Sequence, residues 1–484
     1  MTTIDAAPLS RTPRLPLSAF LSAILLGVAF DRFAVHGPAT VAGMLLVSGA
    51  GFAVALLPRG GALSARALGL VAAVLGIALV IRSGPVAALA LLAAMAAITL
   101  SVVAHRGGSV FDTTIPRLVV RGLSAAYDAI RLPAPVAAWL ADARDRVIAS
   151  PDRRRRASSY ARGVVLAGGI ALLVVPLLAA GDAVFAALVT FDVDLGPVPG
   201  HLVIVAIGAG VAGGMLYAAS RSEPVLDLPA GPTLGTAECR IVLATLATVY
   251  AAFAGGRVVA ALGGADRVLE TSGLTYAEYA RTGFFQLLGA VAVTVVVLLG
   301  VRGMRGRDAA ADRWVTALSV TVAVLTLVCA ATAVQRLALY ENAFGLTLLR
   351  LLALVSAGWL ALLLVLVVAS VSGVAADRDW LPGTIAVSLL AVVVVLAVVN
   401  PEAVVVRRNV DRAVAGGSFD AAYAASLSVD ATPTIVAQLD RLGAPDRAAV
   451  VQRLCELRDD NDVGDGLGWN LGRRRAADAL ASVC

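Results

Sequence analysis

The chain contains no lysine; its 39 basic residues are all arginine. Charge of either sign is scarce, at 15% of 484 residues, against about 25% in soluble domains. Aromatics make up 5%, with three histidines and four cysteines. The missing lysine, together with heavy use of Ala, Val and Gly, reflects GC-rich coding and not chemistry. His36, His105 and His201 each stand alone at the end of an apolar run. Cys239, Cys329, Cys455 and Cys484 lack metal-ligand spacing, so neither a metal nor a cofactor is expected. No basic stripe with interleaved aromatics occurs, which argues against nucleic acid as a partner. The sequence also has no Walker loop, no G-x-S-x-G elbow and no H-E-x-x-H helix.

What the chain does have is apolar length: 59% hydrophobic residues and a mean hydropathy of +0.87. Crossing the hydrocarbon takes about 20 apolar residues in a helix. Such runs occur at Leu15–Val35, Ala39–Leu57, Leu63–Arg82, Pro85–Ala104, Ala161–Ala180, His201–Ser220, Ile241–Leu262, Phe284–Val301, Trp314–Val334, Leu346–Val371 and Trp380–Val399. The second run follows the first directly, so the first reads as a retained helix, not a cleaved leader. The expected fold is an all-α polytopic bundle of about eleven spans in a lipid bilayer, followed by a small helical domain.

Arginine in the short loops sets the expected orientation. The N-terminus reads as cytoplasmic and the segment after the last span as extracytoplasmic. Four regions follow: a four-helix membrane region (1–104), a basic cytoplasmic insert (105–160), a seven-helix membrane core (161–399) and an extracytoplasmic helical domain (400–484). In the insert, Arg153, Arg154, Arg155 and Arg156 precede a span as a positive-inside anchor, and the same charge suits anionic lipid. Leu118, Leu123, Tyr127 and Ile130 are expected to share one face of a helix lying on the membrane surface. Gly208–Gly214 and Gly255-Gly256 read as points of close helix packing. In the last region, Asp420–Ser428, Thr432–Leu442 and Ala444–Arg458 have amphipathic spacing, with Pro433 and Pro445 at first-turn positions. Cys455 and Cys484 both fall there, on the oxidising side, and form a candidate disulfide.

One polar stretch interrupts the apolar runs: Thr275-Tyr276-Ala277-Glu278-Tyr279-Ala280-Arg281-Thr282-Gly283-Phe284-Phe285. Charge inside a membrane costs at least about 2.5–3.5 kcal/mol, so it is usually paired or faces a cavity. Tyr276, Glu278, Tyr279 and Arg281 fall on the same side of the expected topology as Arg336, Glu341 and Arg350. Together these seven form a candidate polar site with no catalytic role assigned. The alternative is an aromatic belt with snorkelling arginines at the interface.

That stretch also resembles an uncharacterised membrane-protein family, domain-of-unknown-function family 4173, with its sister 4153. The matching pieces continue with Arg336 to Tyr340 leading into Phe344-Gly345-Leu346-Thr347 and Arg350, then Asn400-Pro401-Glu402. They close with Ala425-Ser426-Leu427-Ser428-Val429-Asp430-Ala431 and Trp469-Asn470-Leu471 before an Arg-rich helix. The similarity covers roughly residues 160–484. It implies a multi-pass protein of a bacterial inner membrane and implies no activity. Three functions fit the residues. The first is transport, or an accessory role in it, with a polar site at the outer face. The second is an envelope sensor or scaffold, with a membrane or envelope protein as partner, linking the outer domain to the basic insert. The third and weakest is a membrane enzyme, because arginine beside Glu278 or Glu341 lowers a carboxylate's pKa and disfavours a general acid.

Overall fold

The computed structural model describes residues 17–57, 63–107, 110–111, 113–130, 198–220, 233–259, 284–374, 380–456 and 463–484. Among them every regular element is helical, and the one β feature is an isolated bridge between Leu234 and Arg305. That is the expected outcome for an apolar chain, because a helix satisfies its own backbone where no water can.

The helices are α1 (Leu17–His36), α2 (Val41–Ala55), α3 (Leu63–Ile81), α4 (Pro85–Gly107), α5 (Ile115–Ile130), α6 (Val198–Ser220), α7 (Thr236–Val259), α8 (Phe284–Met304), α9 (Arg313–Phe344), α10 (Leu348–Val371) and α11 (Leu381–Val399). Nine of these are long and apolar enough to cross a membrane; α2, at 15 residues, is shorter. The span expected at Ala161–Ala180 and the arginines 153–156 lie outside the described residues. The protein is thus a multi-pass helical membrane protein.

Smaller packing groups seat α1, α5 and α6 beside α2 and α4, and two large ones dominate the bundle. One buries α2, α3 and α4 around Leu68, Leu75 and Leu79; the other buries α7 to α10 around Leu243, Val295, Val322 and Leu364. Helix α11 serves both, through Leu390 and Val393 in the first and Leu381 in the second. Small residues and hydroxyls close the helix contacts, as expected where lipid removes the hydrophobic drive between helices. A methyl on Gly51 would strike the Gly69 carbonyl, and one on Gly69 would strike Gly51 in return. The Ser101 hydroxyl donates to Ala65 O at 2.6 Å, and Trp359 Nε1 donates to Ser388 Oγ at 3.1 Å. Gly208 and Gly214 do pack closely, against Phe30 and Ala129, whereas among the described residues nothing lies within 4 Å of a Cβ placed on Gly255 or Gly256.

Helix α5 corrects one expectation. Leu118, Ala125 and Ala129 turn into the bundle, while Val119, Leu123 and Tyr127 stay exposed. Leu118 therefore does not share a face with Leu123 and Tyr127. The physical reason is close approach: the tight α5–α6 contact at Gly214 admits only small side chains, so the alanine stripe wins over the larger apolar residues. Arg106 of α4 pairs with Asp128 of α5 at 2.7 Å and anchors the contact.

Beyond α11 lie α12 (Pro401–Val414), α13 (Ala421–Ala425), α14 (Thr432–Gln438), α15 (Ala444–Glu456) and α16 (Leu471–Leu480). They enclose a separate core of Val406, Val410, Ile435, Leu439, Val450, Leu454 and Leu480. A disulfide joins Cys455 at the end of α15 to Cys484 after α16, across 29 residues. Closing a loop of that length stabilises a domain by about 3–4 kcal/mol through the unfolded chain. Replacing both cysteines with serine is expected to lower the urea midpoint of this domain in the intact, detergent-solubilised protein. An unchanged midpoint would show that the bond does not constrain it.

Candidate functional site

Two patches of contact join the C-terminal domain to one end of the bundle. The first centres on Asn470, with 0% of its surface exposed. Its side-chain oxygen caps α16 by accepting from Arg473 N at 3.0 Å. Its amide Nδ2 faces three backbone carbonyls: Ala39 O (3.1 Å), Leu79 O (3.0 Å) and Arg82 O (3.1 Å). Leu79 and Arg82 lie at the end of α3, whose last carbonyls have no intrahelical partner. Ala39 lies in the short link between α1 and α2. One amide thus ties three helix ends together, and Val41 N adds a bond to Trp469 O at 3.1 Å.

Beside it, Asp430 (6% exposed) caps the start of α4. Its carboxylate accepts from Ser83 N at 3.0 Å, Ser83 Oγ at 3.2 Å and Gly84 N at 3.1 Å. A carboxylate at a helix N-terminus meets both unsatisfied donors and the positive end of the helix dipole. Gly472 lets the two caps sit together, because a methyl there would strike both Asp430 Oδ1 and Asn470 Oδ1. Asn400 joins them from the end of α11. It adopts a left-handed conformation (φ 56°), its Nδ2 donates to Asp430 O at 2.8 Å, and its Oδ1 caps α12 through Ala403 N at 3.3 Å. Asparagine tolerates that conformation better than most residues with a Cβ, and Pro401 then fits the first helical position, where no N–H is needed.

Glu402 completes the clasp. It is 2% exposed and accepts from Ser428 N at 3.2 Å and from the Ser428 hydroxyl. Burial pushes its carboxyl above the ordinary value, with Ser428 offsetting part of the rise. A carboxyl raised on folding holds its proton longer in the folded state, so folding is undisturbed at low pH. Stability is then lost as pH rises from about 4.5 through the raised value. The thermal midpoint of the wild type is expected to fall across that window, and Glu402→Gln is expected to flatten the fall. Identical pH profiles would remove Glu402 as the cause. Arg82 lies over the same cluster, donating to Ala397 O at 2.9 Å and Val398 O at 3.1 Å.

The second patch joins the domain to α9 and α10. Asn409 brackets Leu346, accepting from its N–H and donating to its carbonyl, both at 2.8 Å. The Tyr423 hydroxyl accepts from Leu348 N at 2.7 Å. Between these contacts lies a cavity of about 270 Å3 lined by Tyr340, Phe344, Arg350, Arg412, Asp420 and Tyr423, among others. Arg350 stacks 4.3 Å over the Tyr340 ring and donates to Gly345 O at 2.5 Å.

Of the seven residues expected to form a polar site, Tyr276, Glu278, Tyr279 and Arg281 lie outside the described residues. Phe284, the next to last residue of their motif, packs against Ala333 and Leu337 of α9 and Ala353 of α10, near the same helix ends. Arg350 lines the cavity. Arg336 sits one turn below Tyr340 on α9, and Glu341 follows it without lining the cavity. The arginine and carboxylate that do join Arg350 there are Arg412 and Asp420, from the C-terminal domain.

In the sequence Asn400, Glu402, Asp430 and Asn470 stand out only as parts of the family-like pieces, and nothing local shows that they meet. The sequence carries no signal for Ser83 or Gly84. It also gives His201 no role, yet its Nδ1 lies 2.6 Å from Oδ1 of Asp31, a carboxylate 1% exposed that Arg32 flanks at 3.3 Å. These two partners sit 170 residues apart on α1 and α6, which no local pattern links. No group of metal-ligating side chains occurs among the described residues.

No curated protein and no solved structure matches the chain. The family model for a domain of unknown function, DUF4153, matches residues 69–438, a stretch that contains both cavity-lining helix ends, the α3–α4 turn and Asp430. The match falls to 4153 of the two sister families that the motifs resembled, and at that coverage the chain belongs to the DUF4153 family.

Proposed function

We propose that the protein is a membrane scaffold of a bacterial inner membrane. Its C-terminal helical domain is held as a fixed cap on the extracytoplasmic ends of the bundle to meet an envelope partner. The clasp carries this reading. Asn470 and Asp430 engage the carbonyls and amides of the chain segments between α1 and α4 with buried, fully engaged side chains, which is how a rigid joint is built and not how a solute path is lined. The disulfide supports the extracytoplasmic side, because such bonds persist in oxidising compartments. Among the described residues, most buried hydroxyls of the spans close on local or neighbouring backbone, as Thr326 and Ser319 do with the carbonyls one turn earlier; the Ser64 hydroxyl of α3 is an exception. That arrangement favours a scaffold over transport.

The test is site-specific photocrosslinking in living cells from exposed domain positions such as Arg447 and Arg453, beside solute uptake in a deletion strain. A discrete protein adduct that disappears in an Asn470→Ala variant is the expected result. Failure to form an adduct from any exposed position, with uptake of a solute lost in the deletion strain, would replace this reading with transport.

A further inference from the structure

The cavity between the domain and the ends of α9 and α10 is built from both sides of the joint. Tyr340, Phe344 and Arg350 come from the membrane helices; Arg412, Asp420 and Tyr423 come from the domain. Two arginines and one aspartate thus line the cavity, and the Asp420 carboxylate caps α13 by accepting from Tyr423 N at 2.9 Å. The guanidiniums also meet at a single residue. Arg350 Nη1 donates to Gly345 O; Arg412 Nη2, which donates to Ser418 O, lies 3.1 Å from where a Gly345 Cβ would stand. Among the described residues no carboxylate pairs with Arg350. Its fork carries five N–H donors, and the stack on Tyr340 fixes the plane in which they point.

We infer that this cavity binds a phosphate-bearing anion between Arg350 and Arg412. A phosphate offers several acceptor oxygens, so it can take both forks at once with charge-assisted bonds. The volume, about 270 Å3, is below the 300–1,000 Å3 typical of drug-sized sites, which suits a small head group. Phe344 and Leu349 stand exposed at the same helix ends, where the chain leaves the hydrocarbon and lipid phosphates lie. The anion can thus come from a phospholipid head group or from phosphate in solution. The inference rests on the domain being docked, because the domain supplies half of the site.

The experiment follows the thermal midpoint of the full chain in detergent during titration with phosphatidylglycerol, with diacylglycerol (which lacks phosphate) and with inorganic phosphate at constant ionic strength. Phosphatidylglycerol is expected to raise the midpoint and diacylglycerol to leave it unmoved. Arg350→Gln and Arg412→Gln should each require about tenfold more lipid, and Arg350→Lys, which keeps charge but not the fork, should fall between. Inorganic phosphate matching the lipid would support the site with a soluble ligand. Wild-type titration curves in both glutamine variants, or no response of the wild type to either phosphate probe, would overturn it. Protease protection of residues 401–484 separates the two ideas: Arg350→Gln should keep the protection, and Asn470→Ala should lose both protection and ligand response. A fully protected Asn470→Ala protein would defeat the clasp while leaving the arginine titrations to stand alone.

Discussion

Asn470→Ala is expected to free the C-terminal domain from the bundle, seen as rapid proteolysis of residues 401–484 in a protein whose membrane part remains intact. The substitution removes the one donor group shared by Ala39, Leu79 and Arg82 carbonyls and the acceptor that caps α16. Asn470 is fully buried, so bulk water does not readily take its place. Each buried polar group left without a partner costs about 1–3 kcal/mol, and loss of a cap adds about 1 kcal/mol. A total of roughly 4 kcal/mol is a large share of the 5–15 kcal/mol that stabilises a whole domain. Asn470→Asp is expected to be at least as damaging, because it sets a carboxylate against three carbonyls in place of a donor. A protease pattern like that of the wild type would mean that the joint is held elsewhere.

Asp430→Ala is expected to produce a defect of similar size by a different route, roughly 3–5 kcal/mol. It strips the start of α4 of its anionic cap and leaves Ser83 N, Gly84 N and the Ser83 hydroxyl unpaired. Asp430→Asn keeps the shape and one acceptor oxygen but presents an NH2 to backbone donors, so it should lie between alanine and wild type. Ser83→Ala removes a single hydroxyl and should cost about 1 kcal/mol. That order, measured as the urea concentration at which the tail becomes protease-sensitive, distinguishes an electrostatic cap from simple packing. Because Gly472 places the two caps side by side, the Asn470→Ala/Asp430→Ala double variant should lose less than the sum of the singles.

Much of the architecture was legible along the chain. Apolar runs such as Pro85–Ala104 and Leu346–Val371 fall on α4 and α10 within a few residues, because length and hydropathy alone decide what can live in lipid. Pro433 and Pro445 sit in the first turns of α14 and α15, where a missing N–H costs nothing. The apolar run Ala39–Leu57 forms a helix two residues shorter at each end, Val41–Ala55, which Thr40 caps at its start, a boundary that hydropathy does not register. The faces of α5 were misjudged, since periodicity ranks residues by size and hydropathy, whereas a close helix contact selects the smallest.

The joint itself was not legible. Asn400, Asp430 and Asn470 are ordinary polar residues in their local sequence, and each has an unremarkable local role as a helix cap or turn. Sequence alone determined that this chain is a bundle of membrane helices with a charged, helical tail, because burying apolar length in lipid is a property of each segment by itself. Only the tertiary structure decided that the tail is clasped to the bundle, that Arg350 and Arg412 line one cavity, and that Asp31 meets His201. Those partners are brought together by packing between distant segments, and the unsatisfied helix ends that select them exist only once the helices have assembled.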